Sequence, residues 1–308
     1  MMKIDIVIPN FNGANLIEKN VPVIFDVVEK YKIGKIIIVD DYSDINDYKR
    51  LEAFVEKYKN KIVLYRNQKN MGFSSSSNKG VSLSDADLVV LLNSDVIPSK
   101  NFLDQAIDDI EKNEMMFGVG FMDESVEGSN KVRRGRGLAS WSRGFLIHRR
   151  GEVNRKDTFW ISGGSSIIRR DMFIKLGGFD SLYNPFYWED IDLSYRARKA
   201  GFVIEFNPDC VVEHRHEEGA IKKHYSSFRV KTISFRNQFI FVWKNINNFG
   251  LIMAHIIWLP YHFVKALLRL DLAFFWGFGL AVLKLPIIME RRSRQSKLYK
   301  LGDRDLLR

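Results

Sequence analysis

Ile4-Asp5-Ile6-Val7-Ile8-Pro9-Asn10-Phe11-Asn12-Gly13 and Lys35-Ile36-Ile37-Ile38-Val39-Asp40-Asp41-Tyr42-Ser43 decide the fold class. Each is a β-branched run that breaks into polar residues, and the second is apolar at nearly every strand position, as a strand covered on both faces must be. Ile62-Val63-Leu64-Tyr65 and Leu88-Val89-Val90-Leu91-Leu92 repeat the theme. Between these runs Ile17, Val21, Ile24, Val28 and Tyr31, and then Leu51, Phe54, Val55 and Tyr58, fall at helical spacing. The alternation predicts an α/β fold built on a doubly wound, mostly parallel sheet. Such sheets bind ligands beyond the carboxyl ends of their strands, so the polar residues after each run are the first candidates for function.

Composition narrows the class. With 308 residues, 46% hydrophobic and 27% charged, the chain is neither disordered, nor collagen-like, nor a polytopic membrane protein. The net charge of +10 sits in two blocks: residues 131–156 sum to +8 and residues 249–308 to +6, leaving the rest at −4. A basic excess so divided points to phosphorylated substrates and an anionic surface rather than to a nucleic-acid track. Cys210 stands alone, which excludes an intrachain disulfide and a cysteine-based zinc site. The first residues run straight into a strand pattern with no secretory signal, so a cytosol-facing catalytic part is expected.

From residue 125 to 158 periodicity fades into Gly, Ser and Arg, predicting a long mobile basic loop. A helix is predicted over 189–199, stopped by Gly201, and another over 226–246. Residues 251–264 and 272–283 are uncharged apolar runs, each short of the about 17–25 residues that span a bilayer. With Arg291-Arg292-Ser293-Arg294 and Lys297 following, they predict two helices that lie in, or dip into, one leaflet beside anionic head groups. The competing reading is a buried pair that completes the core or a homo-oligomer interface.

Each strand-end motif has a chemical reading. Asp40-Asp41 could accept hydrogen bonds from a nucleobase or ribose, or merely cap the next helix. Asn70-Met71-Gly72-Phe73, leading into four serines and Asn78, offers backbone amides to a phosphate, although neither GxxxxGK[ST] nor GxGxxG is present. Asn93-Ser94-Asp95 places a carboxylate where a diphosphate-bound divalent cation would be held. Glu189 and Asp190 open a helix behind the aromatic wall Phe186-Tyr187-Trp188, which can shield a carboxylate from water and face a sugar ring. His214-Arg215-His216 could complete a metal site or touch the diphosphate.

In order, VIPNFNG at 7–13, IIIVDDYS at 36–43, NMGFSSSSNKG at 70–80, LLNSDVIP at 91–98, SGGSSIIRRDMFIKLGGFD at 162–180, WEDIDLSYRARKAG at 188–201 and NPDCVVEH at 207–214 resemble the family 2 glycosyltransferases of GT-A fold, particularly rhamnosyltransferase-like members. The resemblance covers roughly the first 70% of the chain, and residues 239–245, after Arg236-Asn237, also look like the family's helix beyond the catalytic domain. It implies a GT-A domain over 1–225, with a donor half at 1–100 and an acceptor half at 159–225, and a helical, membrane-associating region over 226–308. The implied reaction is inverting transfer of a sugar from a nucleotide-diphosphate donor to an acceptor hydroxyl, in a lipid-linked or cell-surface glycan, at the cytoplasmic face of the membrane.

Carried over by position, Asp41 would meet the nucleobase with Pro9 and Phe11, and Asn10, Asp40, Asn70, Gly72, Asn78, Asn93 and Ser94 would complete the donor side. Asp95 would hold a divalent metal, Mg or Mn, with His214 or His216; the family's first acid of that motif is replaced by Asn93. Asp190 would be the catalytic base, with Glu189 beside it, and Gly163, Gly164, Trp188 and Glu189 would face the acceptor. A sugar-phosphate nucleotidylyltransferase is the alternative enzyme, but it calls for a cation-bearing loop after the first strand, and residues 10–15 carry no cation. A nucleic-acid arm built on Arg133, Arg134, Arg136 and Arg143, with Trp141 and Phe145 to stack on bases, is the non-enzymatic alternative.

Overall fold

The computed structural model describes residues 2–31, 33–127, 130–214 and 225–307. The elements in chain order are β1 (Ile4–Asn10), α1 (Ala14–Val28), β2 (Ile36–Asp40), α2 (Ile45–Glu56), β3 (Ile62–Arg66), α3 (Phe73–Leu83), β4 (Leu88–Leu92), β5 (Val96–Pro98), α4 (Asp104–Lys112), β6 (Met116–Glu127), β7 (Asn130–Arg134), β8 (Gly137–Ser142), β9 (Phe145–Arg150), β10 (Ser165–Arg169), α5 (Arg170–Lys175), α6 (Glu189–Lys199), β11 (Val203–His214), α7 (Ser227–Asn245), α8 (Phe249–Leu268), α9 (Leu272–Val282), α10 (Leu285–Ser296) and α11 (Asp303–Leu306).

The apolar runs become strands because alternate side chains enter two different cores. Ile6, Ile8, Ile36, Ile38, Val90 and Leu92 pack on α1, α2 and α4, while Val7, Ile37, Val39, Val89 and Leu91 pack on α3, α5 and α6. Among the described residues the main sheet runs β3-β2-β1-β4-β10-β6-β11-β5, with β7 paired to β6. The β3-β2-β1-β4 half is parallel, as the uninterrupted apolar runs require. β10 inserts antiparallel between β4 and β6, and β11 returns parallel to β6. The sheet is therefore mixed, with the expected doubly wound half at one side. Gly80 of α3 allows the close approach of helix to sheet, since a Cβ there would lie 2.3 Å from Val7 Cγ1.

The expected mobile loop at 125–158 is corrected by the structure. Residues 130–134 pair with the end of β6, and β8 and β9 form a separate hairpin that turns at Arg143 and Gly144, both at positive φ. Much of the block's charge is used internally. Arg136 is buried and donates to the carbonyl and carboxylate of Asp157, and Lys131 and Arg133 pair with Glu124. The hairpin tip lies against α8, where a Cβ on Gly144 would meet His255 Cα at 2.6 Å.

The C-terminal helices share a core with α6. Trp188, Ile191 and Tyr195 pack with Phe239, Phe241, Ile288 and Leu307, so the helices after 225 share one core with residues 159–199. α8 is longer than its uncharged run suggested: counting to Leu268, it is 20 residues with mean hydropathy 1.5, enough by length and composition to cross a membrane, and only 11% of its most apolar stretch is buried. α9 and α10 together pass the same test but bend by 64°. Ile257, Leu268, Leu272, Trp276 and Leu283 stand exposed along this surface. Arg294 and Lys297 are exposed beside it, whereas Arg292 turns inward and donates to the Trp243 carbonyl at 2.8 Å.

Candidate active site

Four strand ends and one helix start converge. β1 ends at Pro9 and Asn10, β2 at Asp40, β4 leads into Asn93-Ser94-Asp95, β11 ends at His214, and α6 begins at Glu189. Gly13 packs between the first and third of these, since a Cβ on it would lie 2.7 Å from Asn10 Oδ1 and 3.5 Å from Ser94 Oγ. Asn20 holds the Ser94 carbonyl at 2.7 Å. Phe11 and Pro9 are partly exposed along this edge.

Asp41 organises the loop after β3. Its carboxylate accepts from the amides of Met71 (2.7 Å) and Gly72 (2.8 Å) and from Asn67 Nδ2 (2.8 Å). Gly72 sits at φ +82, where glycine is favoured, and a Cβ would strike Asn184 Cγ at 2.8 Å. Asn70 is exposed on the same loop. Two residues expected on the donor side depart from that expectation. Asp40 is fully buried and accepts from Asn10 Nδ2, Ser43 N and Ser43 Oγ, so it holds the strand ends together instead of facing a ligand. Asn78 uses both ends of its amide on the Phe179 backbone, at 2.8 and 2.9 Å, and joins the two halves of the fold.

On the other side, Gly164 lies against Asn93: its carbonyl accepts from Asn93 N at 2.9 Å, and a Cβ would sit 2.3 Å from Asn93 Nδ2. The neighbouring Gly163 amide faces the Asp190 carboxylate and favours its charged form. Asp95 stands 3.2 Å from His214 Nε2, while His214 Nδ1 is 2.8 Å from Asp123. Burial opposes charge on this imidazole, but its hydrogen bonds to Asp123 and Asp95 outweigh it and push the group up to about 9. Asp123 escaped the sequence reading because it lies two residues before the stretch, from residue 125, that reads as a loop, and no motif marks it. The only available signal was an acid closing the apolar run Val119-Gly120-Phe121-Met122. His216 lies outside the described residues.

Glu189 and Asp190 share the first turn of α6 but not an environment. Glu189 is 8% exposed, one of its oxygens has no partner among the described residues, and burial with the neighbouring Asp190 charge holds its carboxyl well above the usual range. Asp190 is partly exposed; desolvation raises it to about 6, with the Ile191 and Gly163 amides drawing it back. Two acids whose environments separate their proton affinities are the arrangement expected of one neutral and one basic group near pH 7. Trp188 stacks edge-on with His148 at 5.2 Å, and His148 with Trp160 at 5.6 Å. His148 and Trp160 were not foreseen, because the hairpin that supplies His148 reads as irregular.

Comparison with known proteins agrees with this layout. Residues 5–177 match the family model described as Glycosyl transferase family 2. The chain is 22% identical over 230 residues to N-acetylgalactosaminyltransferase 7 of Drosophila melanogaster, covering 68% of this chain and 38% of that relative, so it spans well under half of the relative's length. The structure superposes on GalNAc-T7, solved with UDP, GalNAc and Mn2+, with TM-score 0.66 at 16% identity, covering 79% of this chain and 48% of the other. The mannosyltransferase PcManGT from Pyrobaculum calidifontis, solved with GDP-Man and Mn2+, superposes with TM-score 0.57 at 14% identity over 97% of this chain and 81% of its own. These likenesses establish the GT-A type of fold. With more than half of its length matched to the family model, the chain belongs to glycosyltransferase family 2.

Proposed function

We propose that the protein transfers a sugar, with inversion, from a nucleotide-diphosphate donor to a hydroxyl of a lipid-linked acceptor at an anionic membrane surface. The observation that carries this reading is the split pair Glu189 and Asp190, at the end of the sheet that also holds Asp95 and His214. The donor's base would lie by Pro9, Phe11 and the loop tied to Asp41, and its diphosphate near Ser94 and Asp95.

A divalent cation fits the residues present. His214 is oriented through Nδ1 by Asp123, the outer-sphere support typical of a ligating imidazole, and its Nε2, which meets Asp95 at 3.2 Å, would give up its proton on binding the cation. Among the described residues no group of three or more His, Cys, Asp or Glu could hold a metal. Asp95 and His214 would therefore hold it together with oxygens of the substrate diphosphate, as Mg and Mn sites commonly do. When bound, the ion would offset the charge on the leaving diphosphate. Asp190 takes the proton of the acceptor hydroxyl as its oxygen bonds to the anomeric carbon, while the bond to the diphosphate breaks and its electrons leave with the phosphate oxygen. Burial and the neighbouring Asp190 charge favour the protonated form of Glu189, which lessens the negative charge competing with Asp190.

Lipid-side placement of the acceptor is supported by the exposed apolar surface of α8 and α9 and by the hairpin tip that rests on it. Arg143 donates to Tyr261 at 2.7 Å, and the same β8–β9 hairpin carries His148 back to Trp188. Arg149 and Arg150 are exposed along that path. Thermal unfolding with a panel of nucleotide sugars, with and without Mn2+, tests the donor part: a matched donor at 100 times its Kd adds about 2.7 kcal/mol of stability. A panel that leaves the melting temperature unmoved in the presence of metal would refute it.

A further inference from the structure

The carboxylate pair rests on an unusual turn. Tyr187 and Trp188 both lie in the left-handed region, at φ +69 and +78, although neither is glycine. Such a conformation is strained in a residue with a side chain and persists only where its surroundings fix it. Trp188 is also the N-cap of α6 and makes no side-chain capping bond. What holds the turn comes from α7. Asn237, fully buried, places Nδ2 3.0 Å from the Tyr183 carbonyl, 3.0 Å from that of Phe186 and 2.8 Å from that of Tyr187. Arg236 donates through Nη2 to the carbonyls of Tyr183 (3.2 Å) and Asn184 (2.6 Å), and its Nε donates to Asn237 Oδ1 at 2.9 Å, which fixes the direction of that amide. α9 bears on the same point: a Cβ on Gly277 would lie 2.9 Å from Arg236 N and 2.7 Å from Phe235 Cβ.

We infer that Arg236 and Asn237 are positioning residues for Glu189 and Asp190, so that the C-terminal helices belong to the catalytic apparatus as well as to the membrane-facing surface. The inference rests on the reading of Asp190 as the base. Asn237 must donate toward three carbonyls and accept from Arg236, a combination that aspartate, of nearly the same shape, cannot supply. Asn237→Asp turns an oxygen toward those carbonyls and releases the turn with little change in packed volume.

The test uses the full chain in two measurements. Hydrogen–deuterium exchange in Asn237→Asp is expected to accelerate across residues 183–190 while β1 and β2 keep their protection. Nucleoside diphosphate release from a panel of UDP-, GDP- and dTDP-sugars in Mn2+ buffer is expected to fall in kcat by on the order of 10²-fold, the cost of a small misplacement of a reacting group, with donor KM nearly unchanged. In an Asp190→Asn background the same substitution is expected to add no further loss. Unchanged exchange over 183–190, a loss carried by KM, or equal losses in both backgrounds would overturn the inference. If Asn237→Asp does not fold, Arg236→Lys, which keeps the charge but not the planar fork, carries the same expectations at smaller amplitude. Should Asp190→Asn itself leave release unchanged, the base assignment fails and the exchange result alone decides whether α7 fixes the turn.

Discussion

Replacing Lys244 by alanine tests the junction between α6 and the C-terminal helices most severely. The ammonium is fully buried, with Nζ 2.7 Å from both Asp180 Oδ2 and Asp192 Oδ1. Asp192 would keep other partners: Arg196 at 2.7 Å, Asn245 at 2.7 Å and the Tyr183 hydroxyl at 2.9 Å. Among the described residues, Asp180 would keep only the Leu182 amide, at 3.0 Å from its side chain. The substitution thus strips a buried carboxylate of its cation, a change that costs about 3–5 kcal/mol.

The pH dependence has a definite sign. Despite burial, Lys244 beside Asp180, and Arg196 with Lys244 beside Asp192, hold both carboxyls below their ordinary range. The stability they contribute is present above the unfolded carboxyl value of about 4 and is lost as pH falls through the lowered folded values. Without Lys244, burial raises Asp180, which then takes up a proton more readily, so the deficit of the variant relative to wild type is expected to be largest near pH 7 and smaller near pH 5. Urea denaturation followed by tryptophan fluorescence at both pH values measures it. A loss under about 1 kcal/mol near pH 7, in the range of an exposed pair, would refute the reasoning, as would a deficit that grows toward pH 5.

Asp190→Asn is expected to keep nucleotide binding by calorimetry while transfer falls by on the order of 10²-fold or more. In the wild type, the rate should drop about tenfold per unit below the Asp190 value of about 6 and level off above it, a limb that Asp190→Asn abolishes in a pH–rate series. Asp95→Ala is expected to remove the Mn2+-dependent part of donor affinity, read by titration with and without metal; equal affinities in both would count against Asp95. Leu268→Glu with Leu283→Glu places charge on the exposed apolar surface and is expected to abolish flotation with anionic liposomes while melting temperature stays within a few degrees. These point changes are a cleaner test than truncation near residue 248, because Asp303 accepts from Lys199, from Tyr195 and from the amides of Asn247 and Asn248.

The parallel half of the sheet was legible because strands covered on both faces cannot hide their apolarity, and the polar residues that end them mark the ligand edge. Helix α6 was legible for a related reason, since Gly201 at φ +86 stops it where the sequence does. The hairpins between 130 and 150 were not: their strands lie at the rim, carry exposed Arg and His, and show no clean alternation. Strand position alone put Asp41 and Asp95 at the carboxyl edge of the sheet, and the roles proposed for them come from the family resemblance. Asp40 and Asn78 could not be excluded that way, because what consumes their polar groups comes from other strand ends and from Phe179. Arg236, Asn237 and Lys244 look like the solvated side of a helix in sequence, and only packing against residues some 50 positions upstream turns them inward.

The ion pairs of α6 also set an order of events during synthesis. Asp192 leaves the ribosome 52 residues before Lys244, and Lys199 leaves 104 residues before Asp303. Until those partners are made, α6 carries charges that cannot be buried at acceptable cost. The carboxylate pair therefore gains its final environment only after the apolar helices between residues 249 and 296 have been translated, so a growing chain carries those helices before its candidate site is complete.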